Sequence, residues 1–221
     1  HSMKLFVTGG TGFVGSYFLR AALQSGHEIV ALRRSAQSRP RIPLEESDAL
    51  AWLDKGMPDV EPGDIEGCDA LVHLAAHSAN VPYDTLENCL HWNVLVPLGL
   101  LRQAANAGVR RFVVAGSCFE YGRSGERFEF IPPDAPLEPT QTYPASKAAA
   151  SIAFCQLAME LGLQLSIHRI FQVFGDGEAE SRFWPSLRRA ALAGENFKMT
   201  AGEQIRDFVS VDEVARQLLV A

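Results

Sequence analysis

The fold of this chain is decided by one stretch near its beginning, Phe6-Val7-Thr8-Gly9-Gly10-Thr11-Gly12-Phe13-Val14-Gly15. A short apolar strand leads through this glycine-rich turn into an apolar-periodic helix, Phe13 to Leu23. Glycines at positions 9, 12 and 15 permit a tight turn, a close approach of backbone to a pyrophosphate, and close packing of helix on strand. The pattern predicts a dinucleotide site whose candidate contacts are Gly9, Gly12, Phe13, Val14 and Gly15.

An ordinary strand-to-helix connection is the alternative interpretation of such a turn. A second strand, Glu28 to Leu32, follows the helix at the distance that a βαβ unit requires, and Gly26 is placed to end the helix. This context favours the dinucleotide interpretation.

The composition is that of an ordinary globular protein, with 47% hydrophobic residues and a net charge of −6. The absence of a basic cluster disfavours nucleic acid as a partner. No apolar run approaches the roughly 20 residues of a membrane span, and no signal sequence precedes the first strand, so we expect no membrane association and a cytoplasmic protein. The wide spacing of the four cysteines and the scattered histidines predict neither a metal site nor a disulfide framework. The cysteines are Cys68, Cys89, Cys118 and Cys155.

Strands and helices alternate along most of the chain, which is typical of a doubly wound parallel α/β sheet. The run Ala70 to Ala76 is apolar throughout, as buried parallel strands are. The long loop Gly116 to Thr142 is a candidate active-site loop. We expect six strands, at Lys4 to Val7, Glu28 to Leu32, Leu50 to Leu53, Ala70 to Ala76, Arg111 to Ala115 and Gln164 to Ile170.

Beyond the sixth strand the pattern becomes less regular. Residues 3–175 are expected to form the dinucleotide-binding domain, and residues 176–221 a partial substrate-binding lobe, of which 205–221 return to the first domain. A short strand is expected at Phe197 to Thr200. The predicted later helices are Thr85 to Ala107, Pro144 to Leu161, Trp184 to Ala193 and Val211 to Val220.

The segment Tyr143-Pro144-Ala145-Ser146-Lys147 places a phenol and an ammonium four residues apart at the start of a helix, where they share a face. An ammonium beside a phenol favours the phenolate. Moving the phenol pKa from ~10 towards ~7 requires roughly 4 kcal/mol, more than Lys147 alone supplies at a wet surface, so an oxidised nicotinamide ring is a candidate second positive charge. A packed tyrosine beside a solvated lysine is the alternative interpretation of this spacing.

Two further segments contain candidate site residues. Gly116-Ser117-Cys118-Phe119-Glu120-Tyr121-Gly122 follows the fifth strand, and ligands of open α/β sheets bind outside the carboxyl ends of strands, so Ser117 can meet a substrate oxygen. Near the end of the chain, Ser210 and Glu213 fit a capping box for the last helix. The capping box does not account for Arg206 nearby.

The end of the second strand predicts the cofactor. A carboxylate at this position binds the ribose 2′-hydroxyl of NAD, whereas an arginine accommodates the 2′-phosphate of NADP. Here the strand is followed by Arg33 and Arg34. The sequence therefore predicts NADP rather than NAD, with a pair of merely solvated arginines as the alternative.

Taken together, these motifs resemble the extended short-chain dehydrogenases/reductases, the NAD(P)-dependent nucleotide-sugar epimerase/dehydratase group, whose core is a Rossmann fold. The resemblance adds two features to the segments above, namely His73-Leu74-Ala75-Ala76 and Asn93. It implies that Tyr143 is the acid/base, that Lys147 holds the nicotinamide ribose, and that Ser117 binds the reacting substrate oxygen. It further implies cofactor contacts at Leu74, Ala75, Ala76 and Asn93, and a nucleotide diphosphate contact at Arg206.

Three departures from the family pattern restrict the reaction and the substrate site that the resemblance implies. Family dehydratases carry an Asp-Glu pair just after the serine position, where this chain has Cys118 and Phe119, so dehydration is disfavoured. The usual asparagine after the sixth strand is Gln172, which is expected to reshape the substrate pocket. Members normally continue beyond the last helix, so the substrate lobe is expected to be incomplete.

The leading interpretation is an NADP-dependent reductase acting on the keto group of a nucleotide-activated sugar, such as a 4-keto-6-deoxy sugar. The alternatives are a nucleotide-sugar epimerase with a tightly held cofactor and a non-catalytic dinucleotide-binding module, which the intact Ser117, Tyr143 and Lys147 disfavour. The resemblance also implies a homodimer built on a four-helix bundle. Apolar positions on the two long helices support this expectation, namely Leu95, Leu98, Leu101, Phe154, Leu157 and Leu161.

Overall fold

A computed structural model describes residues 1–221, and six parallel strands form its main sheet. The strands are β1 (Lys4–Thr8), β2 (Glu28–Arg33), β3 (Leu50–Asp54), β4 (Ala70–His73), β5 (Arg111–Ser117) and β6 (Gln164–Ile170). Their order across the sheet is β3-β2-β1-β4-β5-β6. This is the strand order of the doubly wound dinucleotide-binding fold, so the expected fold class is confirmed. The order reverses between β1 and β4, and the ligand crevice of such folds lies at that point.

Helices cover both faces of the sheet. On one face Phe18 and Leu218 pack with Val7 and Val72, and on the other Leu101 and Phe154 pack with Phe112. None of the helices has the length and apolar character that a membrane span requires. The helices are α1 (Phe13–Gln24), α2 (Pro62–Ile65), α3 (Leu86–Leu90), α4 (Val96–Asn106), α5 (Thr142–Leu161), α6 (Phe183–Ala193) and α7 (Val211–Val220).

Two of the expected elements have a different form in the structure. The helix expected at Thr85 to Ala107 contains a π-helical turn, His91–Leu95, between α3 and α4. Pro97 lies just after this turn, and a proline has no N–H to continue the regular ladder. The strand expected to reach Ala76 ends at His73, because the next amides turn towards Thr8.

The strand expected at Phe197 to Thr200 does not form. Its backbone has no partner strand, and the Phe197 ring packs instead against the Phe183 ring at 6.0 Å. A separate parallel pair forms where no strand was expected, from β7 (Gln172–Phe174) and β8 (Phe208–Ser210). The pair leads into α7, which packs against the main sheet. The division of the chain at residue 175 stays a prediction.

The turn after β1 lies directly against the chain that leaves β4. Gly9 has a left-handed backbone, with φ of +74°, and a Cβ at this position would lie 2.4 Å from the Ala75 nitrogen. A Cβ on Gly15 would lie 1.8 Å from the Gly9 carbonyl oxygen. Contacts this short exclude any side chain at either position. The glycines expected from the sequence are therefore explained by backbone packing.

A buried hydrogen-bond network joins β1 to β4 beside this turn. The Thr8 hydroxyl oxygen accepts from the amides of Leu74 at 3.2 Å and Ala75 at 3.3 Å, and lies 2.7 Å from Nδ1 of His73. Because the hydroxyl already accepts two N–H groups, its proton is donated to Nδ1. The imidazole is thus neutral, with its own proton on Nε2.

Burial, and to a smaller extent the nearby Lys147 charge, lowers the pKa of His73 to about 3. The side chain is 2% exposed, so protonation would bury a charge and break the bond from Thr8. The folded state therefore binds fewer protons than the unfolded state between about pH 6.5 and pH 3. The contribution of His73 to the free energy of unfolding is therefore fully present above pH 6.5. It is lost progressively as the pH falls below 6.5.

We predict that His73→Asn flattens the pH dependence of stability. Asparagine can still accept from Thr8 but does not titrate. The free energy of unfolding of the natural sequence should fall more steeply than that of the variant between pH 6.5 and pH 4, by up to about 1.4 kcal/mol per pH unit. Urea unfolding at several pH values measures both slopes. His91→Asn changes an exposed histidine and should keep the natural slope; parallel curves for the natural chain and His73→Asn would contradict the prediction.

Candidate active site

A cavity of about 960 Å³ opens at the carboxyl ends of the strands, where the strand order reverses. This volume lies at the upper end of the range for small-molecule and cofactor sites. The cavity brings together most of the residues expected from the sequence. They are Gly9, Gly12, Phe13, Val14, Gly15, Arg33, Arg34, Leu74, Ala75, Ala76, Ser117, Tyr143, Lys147 and Gln172.

The wall formed by the glycine turn fits a dinucleotide. Gly12 caps α1 without any side-chain hydrogen bond, so no side chain occupies the amide groups of the first helical turn. Phe13, Val14 and Gly15 form this turn and lie on the wall. A helix start of this kind favours an anion such as a pyrophosphate.

Ser117 ends β5 with its hydroxyl at the cavity. The hydroxyl oxygen accepts from the Phe119 amide at 3.2 Å, and the Ser117 amide donates to the Glu120 carboxylate at 2.7 Å. These bonds fix the turn that follows the strand. The hydroxyl proton has no acceptor within the protein, so Ser117 can donate it to a substrate oxygen.

Lys147 lies deep in the site rather than at a wet surface. Its side chain is almost wholly buried, and Nζ donates to the Ala115 carbonyl oxygen on β5 at 2.8 Å. Burial lowers the pKa of Lys147, and the Glu120 charge opposes that shift. The ammonium retains two further N–H groups for a ligand.

Tyr143 is buried beside Tyr83, with ring centroids 5.4 Å apart. Burial raises the pKa of its phenol, and Tyr83, Glu120 and Cys118 raise it further. In the protein alone the pKa of Tyr143 thus moves away from the phenolate, and the expected lowering by Lys147 together with an oxidised nicotinamide stays a prediction. Tyr143 is a neutral phenol at neutral pH and is ready to donate a proton.

Asn93 lies behind the cavity wall rather than on it. Its Oδ1 accepts from the His77 amide at 2.7 Å, and its Nδ2 donates to the His77 carbonyl at 3.0 Å and to the Ser146 hydroxyl at 3.0 Å. Both amide protons are thereby used within the protein. In this geometry Asn93 holds the segment after β4 in place, and its expected contact with a cofactor stays a prediction.

The two arginines at the end of β2 have different environments. Arg33 donates from Nε and Nη2 to the Asp54 carboxylate, and its guanidinium stacks over the Trp52 ring at 4.8 Å. Arg34 is exposed and has no ionic partner. Arg34 is consequently the freer cation at this end of the cavity.

Gln172 and Arg206 are neighbours at the opposite end. With its amide oxygen facing Arg206, Gln172 accepts from Nη1 of Arg206 at 3.2 Å and donates to the Asp207 carbonyl at 3.2 Å. Arg206 itself is exposed and does not line the cavity. Its expected contact with a diphosphate stays a prediction.

Sequence reasoning missed two charged residues near the site. Glu120 is fully buried behind Ser117, and Arg182 lies on the cavity wall, where it donates to Asn80 at 3.0 Å. The only sequence signal for Glu120 was its position within the segment Gly116 to Gly122. Its burial was not expected, because charged residues are almost never fully buried unless they are paired. Nothing in the sequence distinguishes Arg182 from the other arginines.

Comparison with known proteins places this architecture among enzymes. Residues 5–221 match the NAD dependent epimerase/dehydratase family. UDP-glucose 4-epimerase of Corynebacterium glutamicum is 26% identical, over 99% of this chain and 70% of the relative. A dTDP-glucose 4,6-dehydratase of Mycobacterium tuberculosis is also 26% identical, over 96% of this chain and 66% of the relative. The chain thus spans about two thirds of the length of these relatives.

Solved structures agree with this assignment. The NAD-dependent NDP-hexosamine 5,6-dehydratase TunA, involved in tunicamycin biosynthesis, superposes with a TM-score of 0.86 and 30% identity, over 99% of this chain and 71% of TunA. MoeE5 in complex with UDP-glucuronic acid and NAD gives a TM-score of 0.82 and 29% identity, over 98% of this chain and 71% of MoeE5. Both matches extend over almost the whole of this chain.

Proposed function

This chain belongs to the NAD-dependent epimerase/dehydratase family, and from that premise we propose that it reduces the keto group of a nucleotide-activated sugar with NADPH. The observation that supports the proposal is that Ser117, Tyr143 and Lys147 line the same cavity, with burial raising the pKa of Tyr143. A 4-keto-6-deoxy sugar is the proposed type of substrate. Relatives that act on UDP- and dTDP-sugars support a nucleotide-activated substrate.

Each of the three residues has a role in this reaction. The Ser117 hydroxyl donates a hydrogen bond to the carbonyl oxygen and polarises the C=O bond. When bound, a reduced nicotinamide supplies a hydride to the carbonyl carbon. Tyr143 gives its phenolic proton to the same oxygen, and the product is an alcohol. The Lys147 ammonium then stabilises the phenolate that Tyr143 becomes.

The epimerase alternative requires the opposite first step. Tyr143 would have to begin as a phenolate and remove a proton from a sugar hydroxyl. Burial raises the pKa of Tyr143, which favours donation over removal. The raised pKa of Tyr143 in the protein alone thus supports reduction as the proposed reaction.

Dehydration also fits the site less well. Cys118 and Phe119 occupy the positions that follow Ser117, and burial raises the pKa of the Cys118 thiol to about 11. A thiol with this pKa is neutral at neutral pH. It cannot replace the ionised side chain of a carboxylic acid there.

The proposal also includes the expected homodimer. Of the six apolar positions named from the sequence, Leu101, Phe154 and Leu157 are buried in the core, whereas Leu95 is 62% exposed. Ile152 and Met159 on α5 are exposed as well. Exposed large apolar side chains on α5 and beside α4 support a self-complementary contact.

We predict that the protein is dimeric and that Leu95→Glu makes it monomeric, because a charge would be buried at the centre of the contact. Light scattering at micromolar concentration measures the mass of both forms. Leu192→Glu introduces the same charge at an exposed leucine of α6 and should leave the dimer intact. A monomeric natural chain would remove this part of the proposal.

We predict that Tyr143→Phe lowers kcat by about 10²–10⁴-fold while leaving cofactor affinity nearly unchanged, because only the transferred proton is lost. Lys147→Ala should damage both quantities. The loss of NADPH absorbance with a panel of nucleotide-activated keto sugars measures turnover. Tyr17→Phe removes a hydroxyl that bonds the Asp176 carbonyl and serves as the control; a Tyr143→Phe variant with most of its turnover would show the assignment to be wrong.

The cofactor proposal generates a separate test. The solved relative MoeE5 is in complex with NAD. The proposed preference of this chain for NADP therefore rests on its own residues Arg33 and Arg34. Because Asp54 already engages Arg33, we predict that Arg34→Ala weakens NADP binding by roughly 10–150-fold with little change for NAD. Arg33→Asp should reverse the preference, since it places two carboxylates near the phosphate position.

Calorimetric titration with both cofactors measures these affinities. Arg39→Ala changes a nearby exposed arginine that does not line the cavity and should have no comparable effect. Tighter binding of NAD than of NADP by the natural chain would overturn the cofactor proposal.

A further inference from the structure

Glu120 is a fully buried carboxylate directly behind the proposed catalytic residues. One carboxylate oxygen accepts from the Ser117 amide at 2.7 Å. The other accepts from the Ser151 hydroxyl at 2.6 Å and from Nε of Arg169 at 3.0 Å. A buried charge persists only where partners of this kind compensate for lost hydration.

These bonds connect three elements that surround the site. Ser117 ends β5, Ser151 belongs to α5, and Arg169 belongs to β6. Arg169 also donates to the Pro133 carbonyl at 2.8 Å and stacks over the Tyr121 ring at 4.9 Å. The carboxylate is thus the common acceptor of a network that reaches the candidate active-site loop.

The backbone beside Glu120 is adapted to its carboxylate. A Cβ at Gly116 would lie 2.7 Å from Oε2 of Glu120. Position 116 therefore admits no side chain while the carboxylate occupies its observed place. The end of β5 therefore leaves space for the Glu120 carboxylate only because position 116 is a glycine.

We propose that Glu120 is a positioning residue for the Ser117–Tyr143–Lys147 site, fixing the Ser117 backbone and presenting one negative charge behind Lys147 and Tyr143. The inference rests on the proposed function in assigning those three residues to the reaction. Glu120 does not line the cavity. It acts through the groups that do.

The charged and titratable groups around Glu120 support this role. Arg169 pairs with it from β6, Ser151 bonds it from α5 one helical turn after Lys147, its charge acts on Lys147 and Tyr143, and Cys118 belongs to its own turn. Burial lowers the pKa of Lys147, and the Glu120 charge works against that shift. The same charge adds to the burial that raises the pKa of Tyr143. One carboxylate thereby favours the protonated form of both groups.

Glu120→Gln tests the inference because it keeps the size of the side chain and removes the charge. Turnover should fall by roughly 10–100-fold, mainly in kcat, with KM for the cofactor little changed. The Lys147 titration should move to lower pH. The chain has only Lys4, Lys55, Lys147 and Lys198, so NMR of ¹³C-labelled lysine can follow each ammonium, with Lys147→Arg identifying the signal.

Two further variants distinguish a positioning role of Glu120 from a general effect on the stability of the protein. Glu28→Gln removes the same charge from an exposed strand position and should leave turnover and the Lys147 titration unchanged. Ser151→Ala removes one bond to Glu120 but keeps the charge, so it should lower turnover by about 3–10-fold without moving the Lys147 titration. If Glu120→Gln does not fold, Ser151→Ala alone decides, and unchanged turnover would overturn the inference.

The outcomes distinguish this inference from the proposed function. A Lys147 titration that is identical in the natural chain and folded Glu120→Gln overturns the role of Glu120, whatever the substrate. Loss of turnover in Tyr143→Phe with full turnover in Glu120→Gln overturns the inference alone. If the natural chain reduces no keto sugar, the proposed function fails, while the lysine titration still tests the charge of Glu120.

Discussion

The structure depends on the close approach of two chain segments at the carboxyl end of the sheet. The turn after β1 lies against the backbone that leaves β4, so near that no Cβ fits at Gly9. The Thr8 hydroxyl, at the end of β1, joins the two segments because it accepts from the amides of Leu74 and Ala75 and donates to His73 of the β4 segment. This contact holds the helix start that faces the cavity at a fixed distance from the opposite wall. The remaining site residues are arranged around that crevice.

Polar groups are buried throughout this region, and each is stabilised in a different way. His73 is kept neutral by burial and accepts a hydrogen bond from Thr8, Lys147 is anchored on a β5 carbonyl, and Glu120 is paired with Arg169. Buried polar groups without partners would cost several kcal/mol in total. Because most of these partners come from neighbouring strands and helices, the same bonds that satisfy the groups also fix the geometry of the proposed chemistry.

The family relationship and the local chemistry describe different aspects of the protein. Relatives of similar architecture include epimerases and dehydratases, so the fold alone does not choose among reactions. The choice depends on which groups line the cavity and on their protonation. The proposed reduction uses a buried phenol and a free serine hydroxyl that line the same cavity. A neutral thiol in place of an acidic pair disfavours elimination of water.

The sequence by itself determined the fold class, the glycine turn and the shared helical face of Tyr143 and Lys147. These features follow from local periodicity and spacing, which act over a few residues. Only the tertiary structure decided that Asp54 pairs with Arg33, that Asn93 supports the wall from behind, and that Glu120 lies beneath Ser117. It also showed that burial raises the pKa of the Tyr143 phenol. Strand register and desolvation bring about these outcomes, and both depend on residues far apart in the chain, where sequence spacing carries no information about distance.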